Sequence, residues 1–286
     1  MTKRTLIVGA SGLLGSSLTP YLQEKGYEVL THSKSSSTDY VGDLSDSSFT
    51  SSMLNDSKPD FVINLVALTN VDYCEKYSQE AYLVNAKSVE NLVQNLNEKS
   101  HLIQISTDQI YNTEGVNREE SLSFCNSYSF TKYIGELYAS QFSNTTILRT
   151  NFFGPSKCKK HRSFSDWLIA NFRAENSINL FDDIYFSPLF LNTICKVIEM
   201  TMIKGIFGTF NVGSRDGMTK KAFAYEIAKK LNLSLENTEI SNSTLGNLLA
   251  KRPLHMIMDS SKFEKTYDFK LPTLLEEILN NELEQR

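Results

Sequence analysis

Tyr128 and Lys132 stand four residues apart in the stretch Tyr128-Ser129-Phe130-Thr131-Lys132. On a helix, positions four apart share a face. A lysine ammonium beside a phenol favours the phenolate and lowers its pKa. A tyrosine tuned in this way can give a proton to a carbonyl that receives hydride, or take one in the reverse direction. Such spacing also arises by chance. It gains weight from Ser106-Thr107, at the end of the strand pattern upstream, where a hydroxyl can share the substrate oxygen. Open parallel sheets bind their ligands at strand carboxyl ends. The candidate catalytic set is Tyr128 and Lys132 with a hydroxyl from Ser106-Thr107.

A hydride donor needs its own site, and the N-terminal segment has the chemistry for one. Gly9-Ala10-Ser11-Gly12-Leu13-Leu14-Gly15 follows an apolar run and opens a helical pattern, the context a dinucleotide-binding turn requires. Gly9 allows the tight turn, Gly12 lets the backbone approach a pyrophosphate, and Gly15 lets helix pack on strand. The helix N-terminus then offers N–H groups and a positive dipole end to the phosphates. At the end of the second strand pattern an NAD-selective site places an acidic residue for the ribose hydroxyls. Here the residues are Thr31-His32-Ser33-Lys34, with no carboxylate. Ser33 and Lys34 can hold a 2′-phosphate, which favours NADP over NAD; the alternative for Lys34 is a solvated loop lysine. Asp43-Leu44 can cap the adenine, and a turn-capping aspartate is the alternative there.

The elements that must position these groups alternate. Thr5–Val8 reads as a buried strand, Leu13–Lys25 as a helix disturbed by Pro20 and stopped at Gly26, and Tyr27–Thr31 as a second strand. Ser33–Thr38 is a polar loop and Phe49–Leu54 a short helix. Phe61–Val66 is apolar at nearly every position, as in a sheet covered on both faces. Ala81–Asn97 predicts one long helix, His101–Ser106 a strand, Ser127–Phe142 a helix and Thr145–Arg149 a strand. Alternation of this kind means crossover units and a parallel sheet. The predicted fold is therefore α/β, a Rossmann-type doubly wound parallel sheet with a smaller mixed lobe. Beyond Gly154 the pattern loosens. Phe164–Arg173 and Thr219–Leu231 read as helices, Leu180-Phe181 and Phe207–Val212 as strands. Residues 1–155 are assigned to the dinucleotide-binding domain. Residues 156–286 are assigned mainly to a substrate lobe, with part of 185–212 returning to the first domain.

Bulk composition excludes other classes. The chain has 286 residues, 41% hydrophobic and 22% charged, with a formal net charge of −4. No global basic field draws nucleic acid or anionic membrane. The N-terminal apolar run is too short for a signal peptide or a membrane span, so a cytoplasmic chain is expected. Cys74, Cys125, Cys158 and Cys195 form no CxxC pair and no zinc-like cluster, and read as reduced thiols with no metal. The basic run Lys157, Lys159, Lys160, His161 and Arg162 is either a diphosphate clamp or a solvated loop face. Trp167 reads as lobe packing. Arg252 is the better diphosphate candidate, because a guanidinium binds phosphate bidentately.

These motifs occur in a particular order: the glycine turn, Gly42-Asp43-Leu44, Asn64-Leu65-Val66-Ala67, Val84-Asn85, Ile105-Ser106-Thr107-Asp108, Tyr128-x-x-x-Lys132 and Leu148-Arg149-Thr150. In that order they resemble the extended short-chain dehydrogenase/reductase family, and within it the dTDP-4-dehydrorhamnose reductase subgroup. Ser106-Thr107-Asp108-Gln109-Ile110-Tyr111 and Ala67-Leu68-Thr69-Asn70-Val71-Asp72 are similar to that subgroup's segments, and Arg252-Pro253 to part of a late one. The resemblance implies NADPH-dependent reduction of a 4-keto (deoxy)sugar nucleotide, with NAD as the alternative cofactor. It makes Tyr128 the general acid, Lys132 its partner and Thr107 the third hydroxyl. It places the cofactor against Gly9, Ser11, Gly12, Leu13, Leu14, Gly15, Ser33, Lys34, Asp43, Leu44, Ala67, Thr69, Asn85, Tyr128 and Lys132, with Asn85 also supporting the active-site helix. The substrate falls to Asp108, Gln109, Asn151, Phe152 and Arg252. Phe152 stands where the subgroup carries tryptophan, and His255-Met256 where it carries Asn-Ser, so departures fall on the sugar side. An epimerase or dehydratase of the same fold, a non-catalytic NADP-binding regulatory subunit, and assembly as a homodimer stay open.

Overall fold

A computed structural model describes residues 3–158, 162–243 and 248–284. The first six strands are β1 (Arg4–Val8), β2 (Glu28–Ser33), β3 (Tyr40–Val41), β4 (Phe61–Asn64), β5 (His101–Thr107) and β6 (Thr145–Thr150). Short strands β7 (Phe152–Phe153), β8 (Ile178–Phe181), β9 (Tyr185–Phe186) and β10 (Leu189–Phe190) follow, then β11 (Gly208–Val212), β12 (Met218–Thr219), β13 (Thr238–Ser241) and β14 (His255–Met256). Seven of these form one sheet in the order β11-β6-β5-β4-β1-β2-β3, and every neighbouring pair is parallel. The order reverses between β1 and β4. That is the switch point at which doubly wound sheets bind ligands, outside the strand carboxyl ends.

Helices α1 (Gly15–Glu24), α2 (Ser47–Ser57), α3 (Val71–Lys76), α4 (Ser78–Tyr82), α5 (Ser88–Asn95) and α6 (Ser127–Ala139) connect the sheet strands. They are followed by α7 (Phe164–Arg173), α8 (Leu191–Lys204), α9 (Lys220–Leu231), α10 (Ser261–Tyr267) and α11 (Leu274–Asn280). Strand side chains alternate between two cores. Ile7, Ile63, Ile103 and Leu148 meet Leu18 and Leu22 of α1 and Ile194, Val197 and Ile198 of α8. Leu6, Val8, Val62, Leu102 and Ile147 meet Met53 and Leu54 of α2 and Val89 and Leu92 of α5. Burying each such side chain contributes roughly 1.5–3 kcal/mol. A third core, in the C-terminal lobe, joins α7, α9 and α11 through Leu168, Phe172, Phe223, Ile227, Leu274 and Ile278. β11, α8 and α10 belong instead with the large sheet: Phe210, Val212, Phe263 and Tyr267 pack into the first core. Among the described residues no helix is long and apolar enough to cross a membrane.

Among the elements that differ from the sequence pattern, two pack directly behind the site. The single helix expected over Ala81–Asn97 is three pieces, α4, a π turn at Leu83–Lys87, and α5, which ends at Asn95. The widened turn presents the Asn85 carbonyl to α6, where a Cβ on Gly135 would stand 2.3 Å from it. Helix α8 has no counterpart in the sequence reading. Its N-cap, Phe190, makes no side-chain capping bond, and its isoleucines, valine and threonines lower helix propensity. Packing against α1 and the sheet makes it a helix. α1 itself continues through Pro20, whose nitrogen has no proton to offer the Ser16 carbonyl.

Candidate active site

The β1–α1 turn is built by backbone constraint. Gly9 adopts φ +83°, and a Cβ there would meet the Leu65–Val66 backbone at 3.0 Å. At Gly15 a Cβ would collide with the Ala10 backbone at 2.5 Å. Glycine is thus required where the chain turns and where helix meets strand. Leu14, the N-cap of α1, supplies no side-chain bond to the first-turn N–H groups, which leaves that end suited to an anion. A cavity of about 470 Å³ opens here, lined by Gly9, Gly12, Leu13, Leu14, Gly15, Leu65, Ala67 and Thr69 on the nucleotide side. It continues past Ile105, Ser106, Thr107, Asp108, Gln109, Tyr128 and Lys132 to Thr150, Asn151, Phe152, Arg162, Ser163 and Phe164. The Ser106 Oγ and Gln109 Oε1 are buried without a hydrogen-bond partner among the described residues. Glycine cradle, uncapped helix end and orphaned polar atoms together fit a dinucleotide lying across the β1–β4 switch point.

Helix α6 carries the candidate pair Tyr128 and Lys132. Asn126 caps it, accepting from Ser129 N at 2.8 Å. Tyr128, Lys132 and Glu136 follow at four-residue intervals and are all buried, so one polar stripe faces the sheet. The Lys132 Nζ donates to the Ile105 carbonyl at 2.8 Å. Burial pulls its pKa down to about 8, against the opposing charge of Glu136. Tyr128 departs from the sequence expectation: burial holds its phenol well above the usual tyrosine range, reinforced by Asp108 and opposed by the Thr107 hydroxyl. Desolvation of the phenolate sets the direction of that shift. Tyr128 is therefore a protonated acid at neutral pH. Asp108, fully buried, is raised to about 6 by desolvation. It accepts from Asn151 Nδ2 at 2.7 Å and Thr107 Oγ1 at 3.3 Å.

Supporting contacts fix this stripe. Asn85 lies behind the cavity wall: its Oδ1 accepts from Leu68 N at 2.8 Å, and its Nδ2 donates to Thr131 Oγ1 of α6 at 3.1 Å. It ties the Ala67–Thr69 wall to α6. Glu136 accepts from Arg149 of β6, with Nη2 at 2.6 Å and Nε at 3.1 Å to both oxygens. The Arg149 Nη1 donates to Tyr111 Oη at 2.8 Å.

The structure gathers Thr107, Tyr128, Lys132, Gly9, Gly12, Leu13, Leu14, Gly15, Ala67, Thr69, Asp108, Gln109, Asn151 and Phe152 around the cavity. It sets others apart. Ser11 is not in the lining. The Ser33 hydroxyl donates to Ser36 O and accepts from Ser36 N within the serine loop. Lys34 Nζ and Asp43 Oδ2 form an exposed pair at 2.7 Å, so these two candidates face each other. Leu44 is buried in the second core, its carbonyl accepting from Thr50 Oγ1 and Asn91 Nδ2. Arg252 grips Asp72, with Nη2 at 2.7 Å and Nη1 at 3.1 Å, rather than lining the cavity. Of the basic run, Lys159, Lys160 and His161 lie outside the described residues, while Arg162 reaches the rim. Sequence reasoning missed Leu65, Ile105, Thr150, Ser163 and Phe164 as lining groups. The signal for the last two is a helix start: Ser163 and Asp166 form a reciprocal capping box at the head of α7.

Comparison with known proteins agrees with this architecture. A probable low-salt glycan biosynthesis reductase of Haloferax volcanii, Agl14, is 26% identical over 286 residues, covering 95% of each chain. The dTDP-4-dehydrorhamnose reductase of Escherichia coli K12 is 24% identical, with 93% of each chain covered. The crystal structure of dTDP-4-dehydrorhamnose reductase from Bacillus anthracis in complex with NADP superposes with a TM-score of 0.89 at 23% identity, covering 98% of each chain. That last likeness speaks for the fold. The RmlD substrate binding domain profile matches residues 3–283, and the chain belongs to that family.

Proposed function

We propose that this protein is an NADPH-dependent reductase of a 4-keto (deoxy)sugar nucleotide. The observation that carries the reading is the meeting of the Gly9–Gly15 cradle and the Thr107–Tyr128–Lys132 set in one cavity. Gly12, Leu13 and Leu14 would hold the pyrophosphate and Lys132 the nicotinamide ribose. When bound, NADPH supplies the hydride. Tyr128 gives its phenolic proton to the carbonyl oxygen as that oxygen gains charge, leaving an alcohol and a phenolate that solvent reprotonates. Thr107 bonds the same oxygen and orients it. The Lys132 ammonium stabilises the transient phenolate, which burial alone would disfavour. Asp108 and Asn151, already bonded to each other, present a polar edge to the sugar.

The cofactor preference rests on the missing carboxylate after Thr31 and on Lys34. An exposed pair such as Lys34–Asp43 is worth little, so Lys34 can exchange its partner for a 2′-phosphate. We assign residues 1–155 to cofactor binding and 156–286 mainly to substrate binding. The four free thiols suit a cytoplasmic enzyme. NADPH oxidation screened against a panel of 4-keto sugar nucleotides tests the reading. Stoichiometric NADPH loss with one of them is expected. Substrate interconversion without net NADPH loss points to an epimerase, and no consumption with any points to a binding subunit.

A further inference from the structure

Helix α9 opens on two lysines, Lys220 and Lys221, directly after its cap Thr219. The positive end of a helix dipole disfavours cations there. Lys221 is compensated: its Nζ lies 2.7 Å from Asp182 Oδ2. Lys220 is not. Among the described residues no hydrogen bond or ion pair holds its ammonium, which sits 5.4 Å over the Phe164 ring. Phe164 and Asp108 both line the cavity. The charged groups that act on Lys220 are already engaged. Asp108 accepts from Asn151, Asp183 accepts from Ser243, and Arg252 is held by Asp72. Burial holds the Lys220 pKa below the usual lysine range, although Asp108 and Asp183 both oppose the shift. A half-buried cation at an unfavourable helix end, held by no hydrogen bond or ion pair among the described residues and lying over a ring that lines the cavity, is matched to an anion that arrives with a ligand.

We propose that Lys220 binds the diphosphate of the nucleotide-sugar substrate, in the role the sequence suggested for Arg252. This rests on the reductase reading above. In a pyranose, C1 lies across the ring from C4. A sugar reacting at C4 beside Tyr128 and Thr107 therefore sends its diphosphate away from them. The Phe164 side of the cavity, contributed by the C-terminal lobe, receives it. A carboxylate on the sugar ring fits less well, because the ring lies against Asp108.

Calorimetric titration of the NADPH-loaded full chain with thymidine, uridine and guanosine diphosphates, each against its nucleoside, tests this. The wild-type protein is expected to prefer at least one diphosphate over its nucleoside. K220M should weaken that diphosphate by roughly tenfold or more, the scale of a lost charge-assisted hydrogen bond, and leave the nucleoside unchanged. K220R should keep most of the preference, and unchanged NADPH affinity shows that both variants fold. Equal diphosphate affinity in K220M and wild type overturns the role of Lys220 and leaves the reductase reading standing. Failure of the wild-type protein to bind any of the diphosphates overturns both.

Discussion

Replacing Glu136 by alanine leaves the Arg149 guanidinium in the interior without its counter-ion. Both side chains are at most 5% exposed, and three N–H···O contacts between them disappear together. Tyr111 and the Glu119 carbonyl remain as acceptors for Nη1, but neither carries charge. Removing one partner of a buried pair costs about 3–5 kcal/mol, because the other stays buried and uncompensated. That is about a fifth or more of the stability of a typical domain. With a urea slope of about 1–3 kcal/mol/M, the unfolding midpoint should fall by roughly 1–5 M. The double variant Glu136→Ala/Arg149→Met removes both charges and should recover most of the loss. A cost below about 1 kcal/mol for the single variant, or additive effects in the double one, would refute the reasoning.

Three further outcomes follow from the same geometry. The pH profile of kcat/KM should be bell-shaped. Lys132 acts as the ammonium, so activity falls above about 8, and Asp108 acts as the carboxylate, so activity falls below about 6; Asp108→Asn should abolish the acid limb. Gly135→Ala should force α6 away from the Asn85 carbonyl, 2.3 Å from the added Cβ, and lower both stability and kcat; a variant with wild-type thermal stability and rate contradicts the close approach. Lys34→Ala should weaken NADPH by about tenfold while sparing NADH, the discount expected for one phosphate contact; equal losses for both cofactors would remove Lys34 from the 2′-phosphate.

Features confined to one local segment were legible in the sequence. The glycine turn shows because its backbone geometry admits no side chain at Gly9 or Gly15. Tyr128 and Lys132 show because four-residue spacing on a helix needs no tertiary information. Features made by distant segments did not show. Arg252 meets Asp72, 180 residues earlier in the chain, and no local pattern marks that pair. The raised Tyr128 pKa is set by how deeply its phenol is buried, which no local spacing marks. The π turn around Asn85 answers to Gly135 on another helix, and α8 to the sheet it covers. Lys220 carried a local signal, a cation in the first turn of α9, but its place beside the cavity depends on Phe164 and Asp108 from elsewhere.

The central claim is that Tyr128 protonates a carbonyl oxygen as hydride reaches its carbon. The direct measurement supplies deuteride-labelled NADPH and the accepted keto sugar nucleotide to wild type and Tyr128→Phe, and follows product mass and rate. The account predicts one deuterium gained per NADPH consumed by the wild type. In Tyr128→Phe the rate should fall by about 10²–10⁴-fold, with NADPH affinity unchanged. Turnover by Tyr128→Phe at the wild-type rate, or product without the label, would contradict it.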